Sequence, residues 1–454
     1  MISRPPAAVR AWAARIRGAH PDHRDIARGM AWVAAFVFAG KVAGALKEMA
    51  VAWRYGARQE VDAYLFVFNL VSWPLAVWLS LLTSVLVPVW ARARSTGEEE
   101  LSRFRSELLA FSLVLGVGLS VLAWIALPRI LASSWAGLPP GTEQVALQMA
   151  PALSTLLGLG VVISLFSAWM LASERHLNTL FEGIPALVLL IAVLSWPGAG
   201  IEALVWGTVG GYAIHLLSLG VAVGKSGDLG APRFAMASPQ WSAFWKGFSA
   251  MLAGQALMSV TIVIDQFFAA HLGTGAIATL GYANRILVLV LSLGATAVTR
   301  ATLPVFSRAQ TEEPSRLRRM AFHWVRILGS LGVAAALIGW WLAPTLVRLL
   351  FERGAFTSAD TLAVSRILRF GIGQLPFYFA SLVLVSMLTS QLRYATICLV
   401  AIVNVAVKVA ANSLLVPRFG VSGLMIATTL MLAASCLLLA GVAYTRRPAV
   451  SASA

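Results

Sequence analysis

Apolar runs of about twenty residues recur along the whole chain, each long enough to cross ~30 Å of hydrocarbon. One of them contains ALVLLIAVLSW, residues 186–196. In lipid every backbone N–H and C=O needs a partner within the segment, so such runs cross as helices. The pattern predicts an all-α polytopic membrane protein with about 12 transmembrane helices. We place the spans at 30–53, 63–90, 106–128, 147–172, 179–196, 202–223, 247–270, 277–303, 322–346, 363–389, 394–416 and 421–443. Composition agrees: 59% of the 454 residues are hydrophobic and 12% charged, against about 25% charged in a soluble domain. The predicted connections are too short to hold an extramembrane catalytic domain.

Charge then orients the spans. With the N-terminus inside, the cytoplasmic segments collect Arg4, Arg10, Arg15, Arg17, Arg24, Arg28, Arg92, Arg94, Arg103, Arg105 and Arg175, and further along the chain Lys225, Arg233, Lys246, Arg308, Arg316, Arg318, Arg319, Arg393, Arg446 and Arg447. The outer loops hold Arg54, Arg58, Arg129, Arg348, Arg353 and Arg418. An imbalance of roughly three to one supports an even span count with both termini cytoplasmic. The expected division is a basic cytoplasmic tail (1–28), a six-helix lobe (29–224), a cytoplasmic linker (225–246), a second six-helix lobe (247–445) and a short tail (446–454). The first segment lacks the apolar core of a secretory signal. The net charge of +16 suits cytoplasmic loops facing anionic headgroups, and no basic soluble domain is present to bind nucleic acid. Cys398 and Cys436 both fall in spans, so neither a disulfide framework nor a metal cluster is expected, and no cofactor is.

The halves resemble each other. VAWRYGA (51–57) parallels FAAHLGT (268–274), and VPVWARA (87–93) parallels LPVFSRA (303–309). Pro88 matches Pro304 and Arg92 matches Arg308, while Glu48 falls on Asp265 at an offset of 265 − 48 = 217. Spans one and seven share an orientation, so the repeat is parallel, about an axis along the membrane normal. Transporters of that design bind substrate between their halves near the midplane.

Charged groups inside a membrane are costly and mark function by default. Arg300, Arg326, Arg366 and Arg369 lie close enough to span ends to snorkel. Lys41 and Lys47 lie well inside span one, in GKVAGALKEMA; Lys41, Gly44, Ala45 and Glu48 recur at helical spacing and share one face. Arg285 follows Tyr282-Ala283-Asn284 in span eight. Three cations from two halves around one cavity suit an anionic group such as a phosphate. The alternative is that Lys41 or Lys47 merely neutralises Glu48 or Asp265. In the second half, Lys408 follows Asn404 by one helical turn; we expect an Asp265–Lys408 pair with Asn404 bonded beside it. In LFERGAFTSADT (350–361), Gly354 allows a turn and Thr357 or Ser358 caps a short helix. Glu352 and Arg353 read as an outer-loop ion pair, and Asp62 as an outer-loop or gate residue.

GKVAGALKEMAVAWRYGARQEVDAYLFVF (40–68), YANRI (282–286) and LFERGAFTSADT together resemble the MurJ (MviN) lipid II flippase family. In this resemblance Lys41 and Lys47 stand at the two arginines of the family's span-one pattern, Glu48 at its Asp, Asp62 at the Asp of Asp-Ala-Phe, and Arg285 at a cavity arginine. The sequence departs from the pattern near Leu75 and Ala76, where an Arg pair is missing, and at Lys408, which replaces the second acid of a sodium site. The resemblance implies the V-shaped, two-lobed architecture of the multidrug/oligosaccharidyl-lipid/polysaccharide exporter superfamily. It also implies alternating-access transfer of an undecaprenyl-pyrophosphate-linked glycan, lipid II or an exopolysaccharide repeat unit, from the inner to the outer leaflet of a bacterial inner membrane. Expected partners are the polyprenyl-pyrophosphate-linked sugar, membrane lipids and glycan-assembly enzymes. The runner-up is a MATE-like drug or cation antiporter, which binds cations through acids where this chain offers bases. A membrane enzyme would need paired carboxylates in a sizeable loop, and the outer acids Asp62, Glu143, Glu202, Glu352 and Asp360 are scattered.

Overall fold

The computed structural model describes residues 21–445 apart from 97, 174–176, 226, 228, 313 and 392. Most of the predicted basic tail and all of 446–454 lie outside the described residues, as does Arg175. The described chain is helical, as its composition demands. The first helices are α1 (Pro21–Tyr55), α2 (Gln59–Thr96), α3 (Glu98–Leu131), α4 (Pro140–Ala172), α5 (Leu177–Phe181), α6 (Ile184–Ser195) and α7 (Glu202–Lys225). A connector then leads into α8 (Gln240–Ala270), α9 (Ala276–Glu312), α10 (Pro314–Phe351), α11 (Ser358–Ile372), α12 (Leu375–Ser390), α13 (Tyr394–Phe419) and α14 (Val421–Thr445).

Nine helical segments among the described residues are long and apolar enough to cross a membrane. The charge-bearing expected spans 30–53 and 277–303 are nonetheless continuous within α1 and α9, helices of 35 and 37 residues. Two other expected spans are interrupted. Span 179–196 divides into α5 and α6 at Glu182-Gly183, and 363–389 divides into α11 and α12 at Gly373-Gln374. Each second piece has proline in its first turn, Pro185 and Pro376, where the missing N–H costs nothing and the ring blocks continuation from the preceding helix.

The packing repeats, as the sequence parallels predict. In the first set α4 packs on α2, α3 and α7, α6 packs on α7, and α1 leans on α6. In the second set α12 packs on α9, α10 and α14, α13 packs on α14, and α8 leans on α13. Small residues permit the close approaches: a Cβ on Gly40 of α1 would meet the backbone of Gly183 at 3.7 Å. The sets meet mainly where α2 lies along α8. That seam runs from Phe66 edge-on to Phe267, through Trp73 Nε1 donating to Ser259 Oγ at 2.9 Å, to Trp78 against Phe248. Beyond its far end, Glu107 of α3 anchors the connector, accepting from Ser238 N at 3.1 Å and Trp241 Nε1 at 2.8 Å.

The opposite seam differs. Among the described residues, α1 and α9 meet through side-chain bridges rather than along a packed face. At one end of the molecule the two sets are closed over each other. There the α1–α2 turn, the start of α9 and the loop after α10 interlock: Tyr282 Oη donates to Gly56 O at 2.9 Å, and Ala355 N donates to Trp53 O at 2.7 Å. Gly354, at φ +59°, sits so near Trp53 that a Cβ would strike its carbonyl oxygen.

Candidate functional site

One span-one cation, Lys47, and the span-eight arginine come together at one carboxylate. Lys47 Nζ lies 2.7 Å from Glu48 Oε1, and Arg285 Nε lies 2.9 Å from the same oxygen. Two cations on one acid leave a positive excess. Seven residues along each helix, about 10 Å at 1.5 Å per residue, Lys41 Nζ donates to Ser292 Oγ at 3.4 Å. The two contacts are successive rungs between antiparallel helices, since 48 − 41 and 292 − 285 are both seven. The Lys41 side chain is exposed, and Arg285 keeps 42% of its side-chain surface open. Both are therefore accessible to a ligand, whereas Lys47, at 17%, is largely committed. Of the two readings left open for Lys47, anion ligand or partner of Glu48, the structure shows the contact with Glu48, and Arg285 shares that acid. A packed α1 helix explains the convergence, because the turn that places Lys47 and Glu48 against α9 is set by the contact of α1 with α6 and by the Gly56 end.

The second charged cluster lies within α8, α13 and α14. Lys408 Nζ sits 2.9 Å from Asp265 Oδ1, so these residues adopt the predicted pairing. Lys408 is fully buried, and its ammonium also donates to Leu424 O at 3.1 Å and to Thr428 Oγ1. A carboxylate, a carbonyl and a hydroxyl thus replace the water that a buried ammonium would lose. The neighbour differs from expectation. Asn412 donates to Asp265 Oδ1 at 3.0 Å, while Asn404 turns away to Ser435 Oγ at 3.3 Å. Both asparagines lie four residues from Lys408, one on either side, so helical spacing alone cannot choose between them; the position of α8 does.

Asp62 joins the two packed sets. Its carboxylate accepts from Ala278 N at 2.6 Å and from Gly275 N, and the residue is 1% exposed. It therefore caps α9 from a different helix, with its charge at the positive end of the α9 dipole. In the neighbouring loop the capping prediction agrees with the structure. Thr357 is the N-cap of α11, accepting from Asp360 N at 3.3 Å, and the Asp360 carboxylate accepts from Thr357 N at 2.8 Å. The Glu352–Arg353 ion pair is corrected. Glu352 accepts from Thr361 Oγ1 at 2.8 Å and has Arg348 Nε at 3.9 Å, whereas Arg353 donates to Leu349 O at 2.6 Å. Just past the end of α10 the two side chains point in different directions: Glu352 reaches Thr361 in the first turn of α11, and Arg353 reaches back one turn to Leu349.

Sequence reasoning also missed an open slot of about 470 Å³ lined by α1, α2, α4, α6 and α7. Lys47 forms part of its wall, and so do Leu75 and Ala76, the positions of the missing Arg pair. Tyr64, Phe68 and Ser72 on α2, and Thr208, Tyr212 and His215 on α7, recur at helical spacing on its walls. That signal was legible as two amphipathic stripes, but not as facing ones. Among the described residues no group of three acidic, histidine or cysteine side chains has the arrangement to hold a metal ion.

The family model described as "Lipid II flippase MurJ" matches residues 51–452. The chain belongs to the MurJ family. That family is one of membrane flippases rather than of enzymes, and its members are multi-pass membrane proteins. The "Probable lipid II flippase MurJ" of Bdellovibrio bacteriovorus is 27% identical over 262 residues, 56% of this chain and 48% of that protein. The alignment thus spans about half the length of that relative. The solved structure "Lipid II flippase MurJ, inward closed conformation" superposes with a TM-score of 0.77 at 20% identity, covering 90% of this chain and 87% of that one. An inward-facing MATE family transporter of the MOP superfamily superposes with a TM-score of 0.73 at 15% identity, covering 89% and 93%. The MurJ-family chain therefore has the helical fold shared across that exporter superfamily.

Proposed function

We propose that this MurJ-family chain carries an undecaprenyl-pyrophosphate-linked glycan, with lipid II as the leading candidate, from the inner to the outer leaflet by alternating access. The observation that carries the reading is the Lys47–Glu48–Arg285 cluster. Two cations from separately packed helix sets converge on one acid, with Lys41 one rung away. A diphosphate arriving between α1 and α9 meets a net positive cluster and competes with Glu48 for it. Arg285 uses Nε on Glu48, and a guanidinium has further N–H donors suited to forked contact with phosphate oxygens.

Alternating access follows from the two seams. The Gly56 end, sealed by Asp62, Tyr282 and Ala355, is the outer gate in this reading, and the termini are cytoplasmic. The two lobes, 29–224 and 247–445, rock about the α2–α8 seam. Binding of the anion screens the repulsion among Lys41, Lys47 and Arg285, and lets α1 and α9 approach. Lys408 acts as a tethered cation in the second lobe, so transport needs no sodium. The enzymes that assemble the lipid-linked sugar are the natural partners at the inner face.

The test is flipping in proteoliposomes with defined lipid-diphosphate sugars. Arg285→Ala and Lys47→Ala should each reduce the rate at least ten-fold at normal folded protein levels. Wild-type rates in both variants would remove the anion site. An exopolysaccharide repeat unit moved while lipid II is refused would keep the mechanism and change the cargo.

A further inference from the structure

The slot among α1, α2, α4, α6 and α7 is absorbed by nothing in the transport scheme above. Its volume of about 470 Å³ lies within the ~300–1,000 Å³ range of small-ligand sites. Its lining is mixed in a particular way. Tyr64 and Tyr212 contribute aromatic side chains, and Ser164 and Thr208 contribute hydroxyl-bearing ones. Thr208 Oγ1 donates to Leu204 O at 2.7 Å, so the Tyr64 hydroxyl, 2.9 Å away, is the donor between the two. Ser164 Oγ donates to Gly160 O at 2.7 Å and retains acceptor capacity toward the slot. His215 is 7% exposed, and its Nε2 is buried without a hydrogen-bond partner. Such an atom costs free energy unless something in the cavity pairs with it. Glu182 lies on the lining and is exposed, which puts the mouth of the slot beside it.

Lys47 belongs to both the slot and the charged cluster. Whatever is bonded to an anion held by Lys47 and Arg285 is therefore within reach of the slot. Two groups flank the diphosphate in a polyprenyl-linked glycan, a hydrocarbon chain and a sugar. A hydrocarbon chain in the slot would leave His215 Nε2 unpaired. A sugar offers hydroxyls to His215, Ser164 and Glu182, and C–H faces to the tyrosine rings.

We propose that this slot is the sugar subsite, taking the sugar attached directly to the diphosphate, with His215 as the hydrogen-bonding residue that distinguishes a sugar-bearing from a sugar-free diphosphate. The proposal rests on the diphosphate reading of the Lys47–Arg285 cluster.

The experiment is calorimetric titration of the full chain in lipid nanodiscs with two probes, geranyl diphosphate and geranyl diphosphate bearing N-acetylglucosamine. The wild type should bind the sugar-bearing probe about ten-fold or more tightly, the size of one well-made hydrogen bond of ~1.4 kcal/mol. His215→Ala should bring that ratio close to one while the affinity for the sugar-free probe stays within about two-fold. His215→Gln, which retains a donor and an acceptor, should recover much of the preference. Ser164→Leu, which fills the slot without touching the cations, should abolish it. Equal binding of both probes by the wild type overturns the subsite, as does a His215→Ala ratio equal to the wild-type ratio. Parallel weakening of both probes in His215→Ala, with no recovery in His215→Gln, assigns His215 a structural role and also overturns it. The underlying diphosphate reading fails separately: Arg285→Ala would then leave both affinities unchanged, or neither probe would bind the wild type.

Discussion

Asp62→Ala is the sharpest perturbation the structure offers. The Asp62 carboxylate accepts from Gly275 N and Ala278 N, at the start of a helix belonging to the other packed set. Hydrogen bonds to a charged acceptor contribute ~1.5–3 kcal/mol each, and a charge at a helix N-terminus adds ~0.3–1 kcal/mol, more when partly buried. Burying the carboxylate, with 1% of the residue exposed, offsets part of that gain. A net effect of ~2–3 kcal/mol on this closed contact is the expected size, which in the proposed gate is roughly a thirty- to hundred-fold shift toward opening at 1.4 kcal/mol per factor of ten. The shift appears only if these contacts are absent from the open state. The readout is a cysteine at Thr279, a buried position in the first turn of α9, placed in a background lacking Cys398 and Cys436. Its modification rate by a membrane-impermeant maleimide should rise by the same factor, roughly thirty or more, in Asp62→Ala. Asp62→Asn, which keeps one acceptor, should fall between. A folded Asp62→Ala protein modified at the rate of its parent would refute the latch.

Other tests address the remaining clusters. Lys408→Ala strands the Asp265 carboxylate in the helix interior and should cost ~3–5 kcal/mol in thermal or denaturant unfolding; transport by the wild type should be the same in sodium and potassium buffers. The exchange Asp265→Lys with Lys408→Asp should recover part of the stability lost by either change alone, as measured by a double-mutant cycle. Gly354→Ala forces a side chain into left-handed backbone beside Trp53, and should lower stability by ~1–3 kcal/mol, read as an earlier melting transition. Glu107→Ala frees Ser238 N and Trp241 Nε1. It should expose the connector before α8 to limited proteolysis, with a stability loss of ~1–3 kcal/mol per stranded donor.

Much of this molecule was legible before any coordinates. Apolar length and backbone hydrogen-bond economy dictate helices, and the matching of 51–57 with 268–274 anticipates the repeated packing of α4 and α12 on their neighbours. Local chemistry also reads in part: Thr357, one of the two caps the sequence offers, caps α11. The Asp265–Lys408 pairing was legible because each is the single charged residue of its expected span and a buried charge needs a counter-charge.

Three things were decided only by tertiary packing. Periodicity defines which face a residue occupies but not what lies opposite, so Asn412 rather than Asn404 joins Asp265. Adjacency in sequence does not settle an ion pair: Lys47 meets its neighbour Glu48, whereas Glu352 and Arg353, just past the end of α10, bond elsewhere. Finally, the sharing of Glu48 by Lys47 and Arg285, and the slot beside them, need α1, α9, α2 and α7 at their actual separations. A one-dimensional pattern carries the angular position of each side chain on its helix. The distance between helices, which sets whether charges bridge and whether space remains for a ligand, exists only once the bundle has packed.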